Sequence, residues 1–424
     1  MSSSVAFKFV HCADLHLDSP LVGIQDAESS IADALRAATL EVFDRVVDVA
    51  VQEQADFLLI AGDVYDGADC SLRAQLRFRD GLRRAVKSGI PCYVALGNHD
   101  PLSGWEAQLE WPDGAYRFPG GRVEEVVVRR GGLDLACIRG ISYPVREIRE
   151  NLVPEFKPTS KGLFTIGLLH CNVGADPAHE DYAPCTLDDL QAAGLDYWAL
   201  GHVHSKRLLS DRNPCIAYPG NPQGRKAEES GERGCYVVRV DESGRVTPEF
   251  RATDTVRWFS ESIDVSDVGT ADGLRDALFA ARERVRTAAG GRAALMRIRL
   301  IGQGSLHREL QRLDPLPDLA APLRENESER PDFVWPELVR IATRSTIDVP
   351  ARRAVKDFVG DFLRSVEQFR RQPDCSTAIR ELLSRRPEYG VVSNQVEGLS
   401  DERIREILEP AETRGLDYLL SEEE

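Results

Sequence analysis

A chain of 424 residues, at roughly 150 residues per domain, holds two to three domains, so a single small module is excluded. Its 42% hydrophobic and 29% charged residues suit buried cores and exclude a disordered chain. A formal charge of −16 argues against a free-standing nucleic-acid binder, so a polyanionic substrate has to be held locally, by metal ions or by a partner.

Nine cysteines with no C-x-x-C pair speak against a disulfide framework and a thiolate zinc site, and fit a reducing compartment. The opening MSSSVAFKFVHCAD lacks a basic segment followed by an apolar one, and no run of about 18 apolar residues occurs, so the expectation is a cytoplasmic protein without a membrane partner.

In chain order, FKFVHC (7–12) reads as a buried strand. Ile31, Leu35, Ala38, Val42, Val46 and Val49 recur at steps of three and four as a helix stripe, and FLLIAG (57–62) is again a strand. A helix over about 71–88 then leads into PCYVALG (91–97), which completes a βαβαβ pattern of layered α/β type. Residues 123–138 form a hairpin turning at Gly131-Gly132, and 235–250 form another turning at Ser243-Gly244. Between them LFTIGLLH (163–170) and YWALGH (197–202) are apolar strands. Two sheets packed face to face with helices outside would use all of these.

A smaller α+β unit follows. Residues 257–265 look like a strand, Leu274, Leu278, Ala281 and Val285 mark a helix stopping at Gly290-Gly291, and Met296, Ile298 and Leu300 alternate with Arg297 and Arg299 on a returning strand. The Pro-rich, charged stretch from 311 reads as a linker. Beyond it Asp348 would cap a helix with the stripe Val355, Phe358, Val359, Phe362, Val366 and Phe369, either core or a docking face, and the last 25 residues are acidic. The expected division is a catalytic domain over 1–253, a small capping domain over 254–310, a linker over 311–345 and a helical partner-binding region over 346–424.

Five of the eight histidines sit at the ends of predicted strands beside turn residues. Ligands of α/β sheets bind where loops leave the carboxyl ends of strands, so Asp14 and His16, Asp63, and Asn98-His99-Asp100 converge on one rim, joined by His170, His202 and His204. Two Asp, one Asn and four His make seven oxygen and nitrogen donors without a thiolate. That set suits two divalent ions about 3.5–4 Å apart, the spacing that serves in-line displacement at phosphorus. Hard ligation suits manganese, iron or zinc. In Asp14-Leu15-His16 residues i and i+2 of an extended segment point the same way and can grip one ion, and Gly62, Gly97 and Gly201 permit the turns that carry the ligands.

The ordered motifs DLH (14–16), GDVYD (62–66), GNHD (97–100), LLH (168–170) and GHVH (201–204) resemble those of the calcineurin-like metallophosphoesterases, with YPGNPQGR (218–225) extending the likeness over about 250 residues. HCADLHLDSPL (11–21), followed by a second domain and a helical tail, is similar to the DNA-repair exonuclease branch, SbcD-like and YhaO-like. The resemblance implies the α/β (α+β) metallophosphoesterase fold, a two-sheet β-sandwich flanked by helices, with a small α+β capping domain and a helical C-terminal tail. It implies that Asp14, His16, Asp63 and His204 hold a first metal and Asp63, Asn98, His170 and His202 a second, with manganese expected and iron or zinc as alternatives. His99 would be a catalytic acid or transition-state stabiliser oriented by Asp100, with a metal-activated hydroxide as nucleophile. Implied partners are DNA, a separate SbcC-like or YhaN-like coiled-coil ATPase and a second copy of the chain.

Other readings are blander. His11 and His179 fall on no motif and are expected to be structural, and His307 is expected at the surface. The cysteines, Cys12 and Cys171 included, are expected to pack the core. Arg297 and Arg299 would lie on a solvated strand face or touch a phosphate backbone. Three functions compete: a DNA exonuclease or endonuclease subunit, a phosphatase or phosphodiesterase on a small phosphoester, and a scaffold that has lost catalysis. The complete ligand set disfavours the scaffold, and the appended domains favour the nuclease.

Overall fold

The structure is a computed structural model, and it describes residues 5–21, 29–67, 71–104, 107, 109–157, 162–174, 180–344, 346, 348–386 and 399–421. The chain divides into two compact units, residues 1–260, 282–297 and 324–337 in the first and 261–281, 298–323 and 338–424 in the second.

Two six-stranded sheets build the first unit. One has the order β12-β11-β1-β2-β3-β4, from β1 (Phe7–Cys12), β2 (Phe57–Ala61), β3 (Cys92–Ala95), β4 (Ala115–Arg117), β11 (Gly234–Val240) and β12 (Val246–Ala252). The other has the order β5-β6-β7-β8-β10-β9, from β5 (Glu124–Arg130), β6 (Leu133–Gly140), β7 (Phe164–His170), β8 (Tyr197–Gly201), β9 (Arg207–Asp211) and β10 (Cys215–Tyr218). β1, β2, β3 and β4 run parallel to one another, as do β6, β7, β8 and β10, while β11 is antiparallel to both β1 and β12, and β5 and β9 are antiparallel to β6 and β10. All the parallel strands therefore deliver their carboxyl ends to one rim.

Period-two alternation explains the layers. Phe7 and Phe9 of β1, Phe57 and Leu59 of β2, and Ile166, Leu168, Tyr197 and Ala199 of β7 and β8 fill the space between the sheets. Their chain neighbours Val10, Leu58 and Ile60 face outward, onto Val42, Val46, Phe78 and Leu82 of α1 (Ser29–Gln52) and α2 (Leu72–Lys87). Trp198 and Leu200 face the opposite way, with Leu190 of α3 (Leu187–Ala192). The α1 stripe serves two clusters: Val42 and Val46 meet the sheet, whereas Ile31, Leu35 and Ala38 pack with Trp258, Leu295, Phe333 and Trp335. Both hairpin turns fall where their glycines place them, with positive φ at Gly131, Gly132 and Gly244. His11 is fully buried in the inter-sheet layer, where Nε2–H donates to the Leu200 carbonyl at 3.2 Å and Nδ1 accepts from the Tyr197 hydroxyl at 2.9 Å. Burial pushes its imidazole down to about 3, so it stays neutral.

A three-stranded sheet β13-β14-β15 follows, of β13 (Val256–Asp264), β14 (Ala293–Ile301) and β15 (Val334–Ile341), with α4 (Ala271–Ala289) between the first two strands. Arg297 pairs with Glu337 at 2.7 Å and Glu228 at 3.2 Å, and Arg299 is exposed. Residues 311–345, expected as a linker, instead hold a π-helical turn (Pro315–Ala320), the helix α6 (Ala321–Arg324) and β15. Leu319, Leu323 and Phe333 are buried there, and that burial outweighs the turn-forming tendency of the prolines. His307, expected at the surface, opens the short α5 (His307–Arg312); it is 3% exposed and bonded through Nδ1 to Thr343 Oγ1 at 2.8 Å.

In the second unit the C-terminal helix expected from Asp348 onward is two helices. Asp348 caps only α7 (Val349–Arg353), the chain becomes extended at Asp357, and Asp357 caps α8 (Phe358–Arg370) anew by accepting from the Gly360 amide at 2.8 Å. Helices α9 (Cys375–Ser384) and α10 (Asp401–Ser421) complete the tail. The expected stripe is split: Val359, with Leu363 and partly buried Phe362, packs on Leu416 and Leu419 of α10, while Phe358 is 71% exposed. Among the described residues no helix is long and apolar enough to cross a membrane.

Candidate metal centre

The rim where β1, β2, β3, β7 and β8 end gathers Asp14, His16, Asp63, Asn98, His99, His170, His202 and His204. Asp14 (φ 54°), His16 (φ 44°), Asp63 (φ 52°) and His202 (φ 101°) all adopt left-handed backbone conformations that L-residues rarely take. Such strain costs on the order of 1–3 kcal/mol per residue and persists only where surroundings over-determine it. Here the Asp14 and His16 amides donate to the Gly62 and Asp63 carbonyls, each at 3.0 Å, and the His202 amide donates to Asp14 Oδ1 at 2.9 Å. Gly62 and Gly97 are required by close approach, since a Cβ on either would collide with the His170 imidazole.

Three imidazoles have one ring nitrogen tied to the protein. His170 Nδ1 reaches the Ala61 carbonyl at 2.9 Å, His202 Nε2 the Glu180 carbonyl at 3.0 Å and His204 Nδ1 the Glu229 carboxylate at 2.8 Å. These acceptors select the tautomer and leave the opposite nitrogen for the centre. His170 Nε2 there lies 2.9 Å from Asn98 Oδ1 and 3.4 Å from Asp63 Oδ2, and His204 Nε2 lies 3.2 Å from His16 Nε2. Single atoms of Asp14, His16 and His204 lie within 4.8 Å of one another, as do those of Asp14, Asp63 and His170.

Electrostatics separate the carboxylates. Burial works to lower the His170 imidazole, but the charges of Asp63 and Asp14 overcome it and push it up to about 9. Burial likewise opposes ionisation of Asp63, yet His170 and His16 hold it well below the usual carboxylate range, whereas burial leaves Asp14 raised. His16 is lowered by burial and by the charge of Arg225. Asp14 Oδ2 and His16 Nδ1 are buried without a hydrogen-bond partner among the described residues. The Asp14 oxygen is an orphaned acceptor beside several carboxylates and imidazoles, a group that a divalent cation satisfies, so the donor set fits metal ions.

Residues 7–206 match the family model described as calcineurin-like phosphoesterase, and residues 258–344 match that for the middle domain of metallophosphoesterase YhaO. Over 406 residues the chain is 33% identical to metallophosphoesterase YhaO of Bacillus subtilis (strain 168), covering 95% of this chain and 96% of that protein. The chain belongs to the YhaO family of calcineurin-like metallophosphoesterases. It is also 29% identical to the DNA double-strand break repair protein Mre11 of Aeropyrum pernix, over 56% of this chain and 58% of that protein. The corresponding protein of Sulfurisphaera tokodaii is 24% identical over 56% of this chain and 60% of its own length, so the alignment spans under two thirds of these Mre11 relatives. The family is one of phosphoester hydrolases with a dinuclear metal site, and this YhaO-family chain has candidate ligands for one.

The expected orienting role of Asp100 is not what the geometry of the YhaO-family site provides. Asp100 turns inward, where Oδ2 accepts from the Val64 amide and Oδ1 from the Gly97 amide, each at 2.7 Å, clamping two ligand loops together. Burial, reinforced by the charge of Asp63, pushes its carboxyl up to about 7. The partner of His99 is Asp66, with Nδ1 to Oδ1 at 3.0 Å, while the His99 amide donates to Asp63 Oδ1 at 3.0 Å. Burial alone would lower the His99 imidazole, but Asp66 and Asp63 raise it above its ordinary value. A neighbour in sequence, Asp100 departs on the other side of the chain, and Asp66 arrives from the loop after β2. The motif GDVYD already contained Asp66. Glu229, the acceptor for His204, had no sequence signal, because it lies between β10 and β11 on no recognised motif. His179 lies outside the described residues.

Proposed function

We propose that this chain is a two-metal-dependent phosphodiesterase acting on DNA, as the exonuclease or endonuclease subunit of a repair complex. The observation that carries the reading is the convergence of oxygen and nitrogen donors on one rim, with a buried unpaired carboxylate oxygen on Asp14 among them. Asp14, His16, Asp63 and His204 would hold one ion and Asp63, Asn98, His170 and His202 the other, with manganese proposed. When bound, such ions supply Lewis-acid charge at phosphorus and a nucleophile at neutral pH. The chain's own residues do the rest. Glu180, Glu229 and Ala61 fix the tautomers of three imidazoles, and His99, with Nδ1 committed to Asp66, has Nε2 left to give a proton to the departing oxygen.

Support for DNA comes from the Mre11 relatives, whose name is DNA double-strand break repair protein. A net charge of −16 is consistent with sharing the task of DNA binding, which fits a coiled-coil ATPase of SbcC-like or YhaN-like type docked on 346–424, and a second copy of the chain. Residues 1–253 would then be catalytic and 254–310 capping. A cytoplasmic setting is proposed from the buried thiols of eight described cysteines, none of which is in a disulfide.

The test offers manganese-loaded full-length protein labelled double-stranded DNA beside bis(p-nitrophenyl) phosphate. Cleavage of DNA that disappears in Asp63→Ala is expected. Turnover of the small ester with DNA untouched at any manganese concentration would overturn the DNA reading in favour of a small phosphoester.

A further inference from the structure

Arg225 stands at the metal-facing edge of the site and belongs to none of the roles above. Its Nη1 donates to Asp66 Oδ2 at 3.2 Å, which places the guanidinium beside the carboxylate that holds His99. Its backbone amide donates at 2.7 Å to Glu229 Oε2, the carboxylate whose other oxygen takes the His204 proton. The arginine and a candidate metal ligand are thus fixed on one anchor.

The guanidinium is not consumed by these contacts. It has five N–H donors, Nε is buried with no hydrogen-bond partner among the described residues, and the side chain is 16% exposed. Asp66 takes one arm of the planar fork, and the donors beyond that contact match phosphoryl oxygens. Resting on the phosphodiesterase reading, we propose that Arg225 binds a non-bridging oxygen of the scissile phosphoryl group and so contributes to substrate recognition at the centre.

The experiment measures inorganic phosphate binding to the metal-loaded full-length protein by calorimetry, the metal content of each variant, and kcat and KM on bis(p-nitrophenyl) phosphate. Arg225→Ala should weaken phosphate binding about tenfold to a hundredfold, the range for a lost hydrogen bond to a charged group. KM should rise in step, two ions per chain should be retained, and Arg225→Lys should recover part of the affinity as a point charge. Unchanged phosphate affinity with a displaced pH profile of kcat would mean that Arg225 acts only through Asp66 and His99, and overturns the proposal. Loss of metal in both variants overturns it as well, by making the residue a support of the ligand loops. Wild-type protein that binds phosphate through Arg225 yet hydrolyses no phosphodiester would end the phosphodiesterase reading and leave this one standing.

Discussion

Exchanging Glu229 for glutamine keeps its shape and removes its charge, and the structure says what that charge does. The side chain is 4% exposed and accepts from His204 Nδ1 at 2.8 Å, Asn221 Nδ2 at 2.7 Å and the Arg225 amide at 2.7 Å. Burial would raise the carboxyl, but these donors, His204 first, hold it at about 2 against an ordinary 4.5. At about 1.36 kcal/mol per unit the difference contributes on the order of 3 kcal/mol to folding. Because the folded value is depressed, that contribution is complete above pH 4.5 and is lost as the pH falls toward 2. Denaturant titrations of metal-free wild type and Glu229→Gln, compared from pH 7 down to pH 2, should therefore differ most at neutrality and converge in acid. The same substitution loosens the His204 tautomer, and loss of such a supporting carboxylate typically costs about 10- to 100-fold in metal affinity. Wild-type manganese affinity in the variant, or a stability difference that does not shrink with acid, would refute the argument.

His99→Ala should lower turnover by on the order of a hundredfold with both ions still bound, and Asp66→Asn should lower it in the same direction while Asp100→Asn acts through loop stability; metal analysis beside steady-state rates separates them. In the tail, Leu363→Ala should cost about 2–5 kcal/mol of local stability because Leu363 is wholly buried against α10, whereas Phe358→Glu should change it by no more than about 0.5 kcal/mol, read by denaturation of the full chain.

How much was legible depended on whether the signal was local. The two sheets, α1, α2 and both hairpins follow from alternation, helical spacing and turn glycines, all of which act within about a dozen residues. The strands β4, β9 and β10 went unread, and β15 fell inside the expected linker; each is a strand because a neighbour pairs with it.

The candidate ligands Asp14, His16, His202 and His204 were legible as residue types at strand ends, but the extended geometry expected of Asp14-His16 is not what forms: Asp14, His16 and His202 take left-handed backbone held by Gly62, Asp63 and Asp14. The tertiary structure alone decided what those ligands rest on. Asp66 rather than Asp100 meets His99, Glu229 meets His204, and Arg225 reaches Asp66 across 159 positions of chain. Hydrogen bonds of that span depend on the path of the intervening backbone. The same reason decides the tail, where the sequence determined an apolar stripe and only the arrival of α10 determined that Val359 and Leu363 are core while Phe358 faces solvent.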